Sequence, residues 1–120
     1  MGEVIRIGKI SSIDYTNGCA DVYFDDEESV VKTNLPLPSS EYLLPAVGES
    51  VVVAFQTKGN QGYILGSFFS AANKPEHAGK GSYFKRFSEK AYIYYDAETE
   101  TLEIAAPRII IRETKTGEKE

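Results

Sequence analysis

Between Leu35 and Phe69 the chain reads LPLPSSEYLLPAVGESVVVAFQTKGNQGYILGSFF, and this stretch restricts the fold more than any other. Pro36, Pro38 and Pro45 punctuate a loop that closes on Val47-Gly48-Glu49. Two strand-like runs follow, joined by Lys58-Gly59-Asn60-Gln61-Gly62. The second run carries Ile64-Leu65-Gly66, with a glycine inside the strand. Glycine weakens a strand unless the backbone must bend there or another backbone comes close. Such punctuation is the pattern of a small closed β-barrel.

Strand signals dominate the rest of the first half. Val4 to Asp14 reads as one long strand in which Ile5 and Ile7 alternate, whereas Ile10 and Ile13 break that register. A bulge or bend near Gly8-Lys9 would account for the shift and would let one strand serve both sides of a barrel. Asn17-Gly18 is a strong short hairpin signal. It leads into a second strand over Cys19–Asp25, with Ala20, Val22 and Phe24 on one face. The acidic run Asp25-Asp26-Glu27-Glu28 reads as a solvated turn before a third strand over Ser29–Leu35. Metal ligation there is the weaker reading, because consecutive turn residues rarely converge on one ion. A fourth strand, Glu49–Thr57, is apolar on both faces, which predicts burial on both sides. The fifth strand is Tyr63–Phe69. Five strands with the largest excursion between the third and fourth match the oligonucleotide/oligosaccharide-binding (OB) barrel. Residues 1–72 are assigned to it.

From Ser70 the composition changes to small residues, Pro75, Gly79 and Gly81, and residues 73–87 read as a linker. Three short strands are expected beyond it, at Ala91–Tyr95, Thr101–Ala105 and Arg108–Glu113, within a segment of residues 88–114. Residues 115–120 are charged and expected to fray. Ile93 and Tyr95 share a face, as do Leu102 and Ile104, and Ile109 and Ile111. Three such strands make a sheet with one apolar face and nothing to cover it. Each exposed Ile or Leu forgoes ~1.5–3 kcal/mol of burial. Identical apolar faces are usually covered by closed symmetry. The fold expected is therefore all-β, a barrel followed by a self-associating tail.

Composition argues against several functions. No apolar run approaches the ~20 residues of a membrane helix, and the N-terminal MGEVIRIGK lacks the basic start and apolar core of a signal peptide. One cysteine, Cys19, permits no intrachain disulfide and no thiolate metal cluster within a chain. It reads as a small strand residue. Net charge is −5 with scattered lysines and arginines, whereas nucleic-acid binders cluster them. A single-stranded nucleic-acid binder is thus the second reading, with Tyr15, Tyr23, Phe24, Phe55 and Tyr63 as candidate stacking residues. A lectin-like barrel is the third, and it leaves the tail unexplained. No catalytic constellation is present. Glu98 and Glu103 read as charges on a short hairpin, and the only histidine, His77, reads as a polar loop residue in the linker. No cofactor and no resident metal are expected.

Several segments carry a family resemblance. They are Arg6-Ile7-Gly8-Lys9-Ile10, Leu35-Pro36-Leu37-Pro38, Tyr42 with Pro45, Val47-Gly48-Glu49-Ser50-Val51, and Gly62-Tyr63-Ile64-Leu65-Gly66. Ile93-Tyr94-Tyr95-Asp96 and Leu102-Glu103-Ile104 complete the set, so the resemblance runs from about Ile5 to Ile111. In this ordered set the chain resembles the phage baseplate assembly protein V family of contractile-tail spikes, related to the needle spikes of type VI secretion systems. The resemblance implies a homotrimer whose barrels surround a threefold axis below a baseplate hub protein. It implies that the C-terminal strands wind into an intertwined β-helix that pierces the target cell envelope. Ile93, Tyr95, Leu102, Ile104, Ile109 and Ile111 would then form the trimer interface. The protein would be structural, not an enzyme, and would bind no nucleic acid. It would be made in the host cytoplasm and sit at the baseplate centre of a virion or tail-like particle. With no histidine from Ser88 to Glu120, the spike is expected to lack a histidine-bound metal and to offer its end to a separate tip protein.

Overall fold

A computed structural model of the chain describes residues 4–25, 30–57 and 61–115. The acidic turn from Asp26, the start of the third strand at Ser29, and the Lys58–Asn60 part of the later turn lie outside them. The described residues form strands and no helix. They divide into two compact units, residues 1–74 and 75–120.

The first unit is a curled five-stranded antiparallel sheet. Its strands are β1 (Ile5–Asp14), β2 (Cys19–Phe24), β3 (Val30–Pro36), β4 (Ser50–Phe55) and β5 (Gly62–Ser67), in the order β3-β2-β1-β4-β5. β1 is the central strand and pairs on both sides. Its register with β4 is regular from Ile5↔Ala54 to Lys9↔Ser50, but its register with β2 shifts between Ile10 and Ser12. Further shifts occur between Ala20 and Val22 and between Val52 and Val53. Each bulge bends its strand and adds right-handed twist, so the sheet curls into a half-barrel. A groove of about 350 Å³ lined by Pro36–Ser39 and Tyr63–Leu65 marks where the end of β3 approaches β5.

The concave side holds Ile10, Ala20, Val22, Phe24, Leu35, Val51, Val53 and Ile64, all at most 3% exposed. Ile13, Leu37 and Phe55 pack against them. Ala20, Val22 and Phe24 share this face, as their spacing requires. Phe24 receives the Phe55 ring at 5.8 Å and lies under the Arg6 guanidinium at 4.2 Å, an arrangement in which the charged end faces the negative face of the ring.

β1 departs from expectation. Ile5 and Ile7 point outward, more than half exposed, while Gly8 and Ile10 point inward. The bulge lies beyond Ile10, not at Gly8. Gly8 instead makes room for β2. A Cβ there would stand 2.5 Å from Val22 Cγ1 and 2.8 Å from the Tyr23 carbonyl oxygen. Only a residue without a side chain lets β2 approach this closely. Gly66 serves the bend instead. Its φ is +143°, with no atom near its would-be Cβ, and it follows Leu65, the extra residue of the β4–β5 bulge.

Asp14 pairs with Cys19, so Tyr15-Thr16-Asn17-Gly18 forms a four-residue loop, within the strand bounds expected from the sequence. The Asp14 carboxylate organises it, accepting from the Asn17 backbone amide at 3.2 Å and from Asn17 Nδ2 at 2.9 Å. These bonds favour the ionised form and hold the Asp14 pKa below its ordinary value. The long loop after β3 is tied down by Tyr42, whose hydroxyl donates to the Tyr15 carbonyl at 2.8 Å, although the Tyr42 ring stays exposed.

The second unit is a three-stranded antiparallel sheet, β6 (Tyr83–Ser88), β7 (Ala91–Asp96) and β8 (Thr101–Ala105), in that order. β6 corrects the linker reading of residues 73–87. Tyr83-Phe84 and Lys85-Arg86 come as like pairs, so no period-two alternation marks the strand, and the glycines just before it read as linker. Arg108–Glu113, expected as a strand, is unpaired in the single chain.

Gly8→Ala should destabilise the first unit by about 1–3 kcal/mol through overpacking against β2; urea unfolding measures it, and an unchanged midpoint would refute the close-approach role. A fragment ending at Ala72 should melt cooperatively as a β-protein by circular dichroism, since its core is drawn wholly from residues 10–64.

Candidate functional site

The second sheet has two faces of opposite character. Register places Phe84↔Tyr94↔Glu103 and Arg86↔Tyr92↔Ala105 on one of them. His77 stacks on Tyr94 with centroids 4.1 Å apart and planes 22° from parallel, and its ring also lies 4.7 Å from Phe84. Arg86 Cζ lies 5.4 Å from the Phe84 centroid and 5.2 Å from that of Tyr92. Arg86 Nε donates to both carboxylate oxygens of Glu76 at 2.9 Å, and its Nη1 donates to the Ser88 and Glu89 carbonyls. The Tyr92 hydroxyl donates to Glu103 Oε2. Residues 76 and 77 of the same chain therefore cover this face. His77 is an exposed loop residue, as read from the sequence, and its ring stacks on the sheet.

The opposite face carries Tyr83↔Tyr95↔Leu102 and Lys85↔Ile93↔Ile104. Four of the six residues expected at an assembly interface, Ile93, Tyr95, Leu102 and Ile104, are thus brought together. Ile93 and Tyr95 on the middle strand are half-buried, while Leu102 and Ile104 are 59% and 53% exposed. Ile109 and Ile111 lie in the unpaired segment after β8, and Ile111 is 92% exposed. Tyr83, 51% exposed, joins this face and was missed with its strand. The three aromatics among Tyr83–Phe87 are the one strand-favouring signal in this stretch.

A second apolar surface lies on the convex side of the first sheet. Ile5↔Ala54↔Tyr63 and Ile7↔Val52 form its rows, with Leu65 beside them on β5. Val52 and Ala54 on this side are half-buried, whereas Val51 and Val53 on the other side of β4 are buried.

The remaining candidates stay separate. Glu103 accepts from Tyr92, whereas Glu98 lies in the β7–β8 turn, its backbone amide bonded to Asp96 Oδ1 at 3.0 Å. Cys19 Sγ faces Asn34 Oδ1 at 3.8 Å. Among the described residues, no three His, Cys, Asp or Glu side chains converge as metal ligands would. The arrangement offers contact surfaces, one on each sheet. No protein-family model matches the chain, and no curated protein matches it.

Hydrogen bonding to Glu103 raises the Tyr92 pKa, because it favours the neutral phenol, and loss of solvent and the carboxylate charge act in the same direction. The bond thus contributes stability at pH below the ordinary tyrosine value of about 10, and that contribution is lost as pH rises through the folded value. Phenolate absorbance should show Tyr92 ionising above the ordinary value, and Glu103→Gln should move it back. An unmoved titration would refute the bond between the two side chains.

Proposed function

We propose that this protein is the central spike of a contractile phage tail or tail-like particle, acting as a homotrimer. The reading is supported above all by the face of Tyr83, Ile93, Tyr95, Leu102 and Ile104. The opposite face is filled by His77 and Glu76 of the same chain, but this one is not. An exposed apolar row on a small sheet is unfavourable in water. Around a threefold axis, three copies would bury it mutually.

In this reading the first unit is an OB barrel. Its strand order, with β1 central and the end of β3 approaching β5, supports that topology. The second-unit sheets of three copies would form the base of an intertwined β-helix. The convex row of Ile5, Ile7, Val52, Tyr63 and Leu65 is a surface suited to a hub protein. A spike works mechanically, and piercing needs no catalysis. Stiffness comes from β-pairing and apolar packing, and the net charge of −5 disfavours adhesion to nucleic acid. The protein would be made in the host cytoplasm and carried at the baseplate centre, with the target envelope as a transient partner and a tip protein at the C-terminal end.

Light scattering should give three chains per particle. Ile104→Asp would put three carboxylates near the axis, each costly to bury unpaired, and should return monomers with the first unit still folded. A monomeric parent, or a trimer unaffected by Ile104→Asp, would overturn the proposal. Salt-sensitive binding of single-stranded DNA by a monomer would favour the nucleic-acid reading instead.

A further inference from the structure

We propose that Asn17-Gly18 is a site of spontaneous deamidation that Asp14 holds closed, and that its conversion releases the long loop after β3. The device lies within one chain and does not depend on assembly. Asparagine is a thermolabile residue, and Asn17 is the asparagine of this sequence that glycine follows. Its side-chain carbonyl carbon lies within ring-closing reach of the next backbone nitrogen, which a glycine leaves unshielded. Asn17 is exposed, and a Cβ on Gly18 would meet nothing within 4 Å. Water and hydroxide therefore reach both atoms.

The reaction is a hydrolysis. The Gly18 amide nitrogen gives its proton to hydroxide and attacks Asn17 Cγ. A C–N bond forms between them, the Cγ–Nδ2 bond breaks, and Nδ2 takes a proton from water and leaves as ammonia. Water then opens the cyclic imide at either carbonyl, giving aspartate or isoaspartate at position 17. No oxidation or reduction is involved. In the folded loop Asp14 holds both reacting nitrogens. Gly18 N donates to the Asp14 carbonyl oxygen at 2.9 Å, and Asn17 Nδ2 donates to Asp14 Oδ2 at 2.9 Å. The Asn17 backbone amide donates to Asp14 Oδ1 at 3.2 Å. The nucleophile has to break a hydrogen bond before it can ionise and turn, and an amide that donates to a carboxylate is a poorer electrophile. The Asp14 charge also stands beside atoms that become negative during the attack, and like charges disfavour that ionisation.

Conversion replaces a donor with a second carboxylate facing Asp14, and two such charges repel. Isoaspartate also lengthens the backbone of a short loop. The segment after β3 is anchored on this loop twice. Leu37 N donates to the Gly18 carbonyl at 2.9 Å, and the Tyr42 hydroxyl donates to the Tyr15 carbonyl at 2.8 Å. When the turn is displaced, both acceptors move with it. The far end of the segment stays fixed, because Gly48 N donates to the Ile10 carbonyl at 2.8 Å. The buried core residues of β4 and β5, Val51, Val53 and Ile64, lie outside this turn. Conversion is thus a one-way chemical mark that frees a loop without unfolding the sheet.

The test is peptide mapping by mass spectrometry of the full chain held at mildly alkaline pH, folded and in urea. Position 17 should convert roughly tenfold or more slowly in the folded chain, the factor that hydrogen bonds to a charged group supply. This comparison needs no substitution. Equal rates would overturn the guarding of the site, and no conversion even in urea would overturn the site itself. Asp14→Ala should raise the folded rate toward that in urea. Asp14→Asn, which keeps an acceptor but not the charge, replaces it should Asp14→Ala fail to melt cooperatively. An unchanged rate in a folded variant would overturn Asp14 as the guard. Asn17→Asp reproduces the aspartate product. It should speed hydrogen exchange at the Leu37 amide and leave the Val51 and Val53 amides protected. Unchanged exchange at Leu37 would overturn the release of the loop.

Discussion

β1 has to pair along both of its sides at once, and the first unit follows from how it does so. Against β4 it runs in regular register, while against β2 it slips at Ile10–Ser12. A flat ladder on both sides would leave the inner side chains without partners across the sheet. The slip turns β2 and β3 inward and brings Val22, Phe24 and Leu35 over Val51, Val53 and Ile64. Gly8 is the point where this turn is tightest, since no side chain fits between β1 and Val22.

The second unit meets a different constraint. A sheet of three short strands has two faces, and residues 75–82 are enough to cover one. His77 and Glu76 do this through stacking and a charged pair with Arg86, both solvent-accessible and individually weak. Packing, not the ion pair, holds the face together, with four aromatic rings within about 6 Å centroid spacing. The other face carries larger aliphatic residues and no cover from its own sheet. In the proposed spike it becomes the seam between copies, so a fold that looks incomplete alone is suited to assembly.

The two faces also differ in what they tolerate. Polar ends such as those of Tyr92 and Glu103 satisfy each other at the margin of water. Among the described residues of the apolar face Lys85 carries the charge, and its long stem is itself apolar. Substitution on the first face thus disturbs one sheet, whereas substitution on the second bears on every copy that would share it.

Much of this was legible in the sequence by itself. Period-two alternation placed Ala20, Val22 and Phe24 on one buried face, and Ile93 with Tyr95 and Leu102 with Ile104 on a shared face that is exposed in the single chain, because side chains in a strand point to alternate sides whatever surrounds them. The five strands of the first unit fell within two residues of their positions for the same reason. Tertiary structure decided the rest. Ile5 and Ile7 look like core residues, yet Gly8 and Ile10 face inward, because the side that packs is chosen by the approach of β2. β6 escaped notice since its pattern acquires meaning only when β7 pairs with it. Local alternation and turn chemistry are written along the chain, but which face is inside depends on residues distant in sequence, and only the folded chain brings those together.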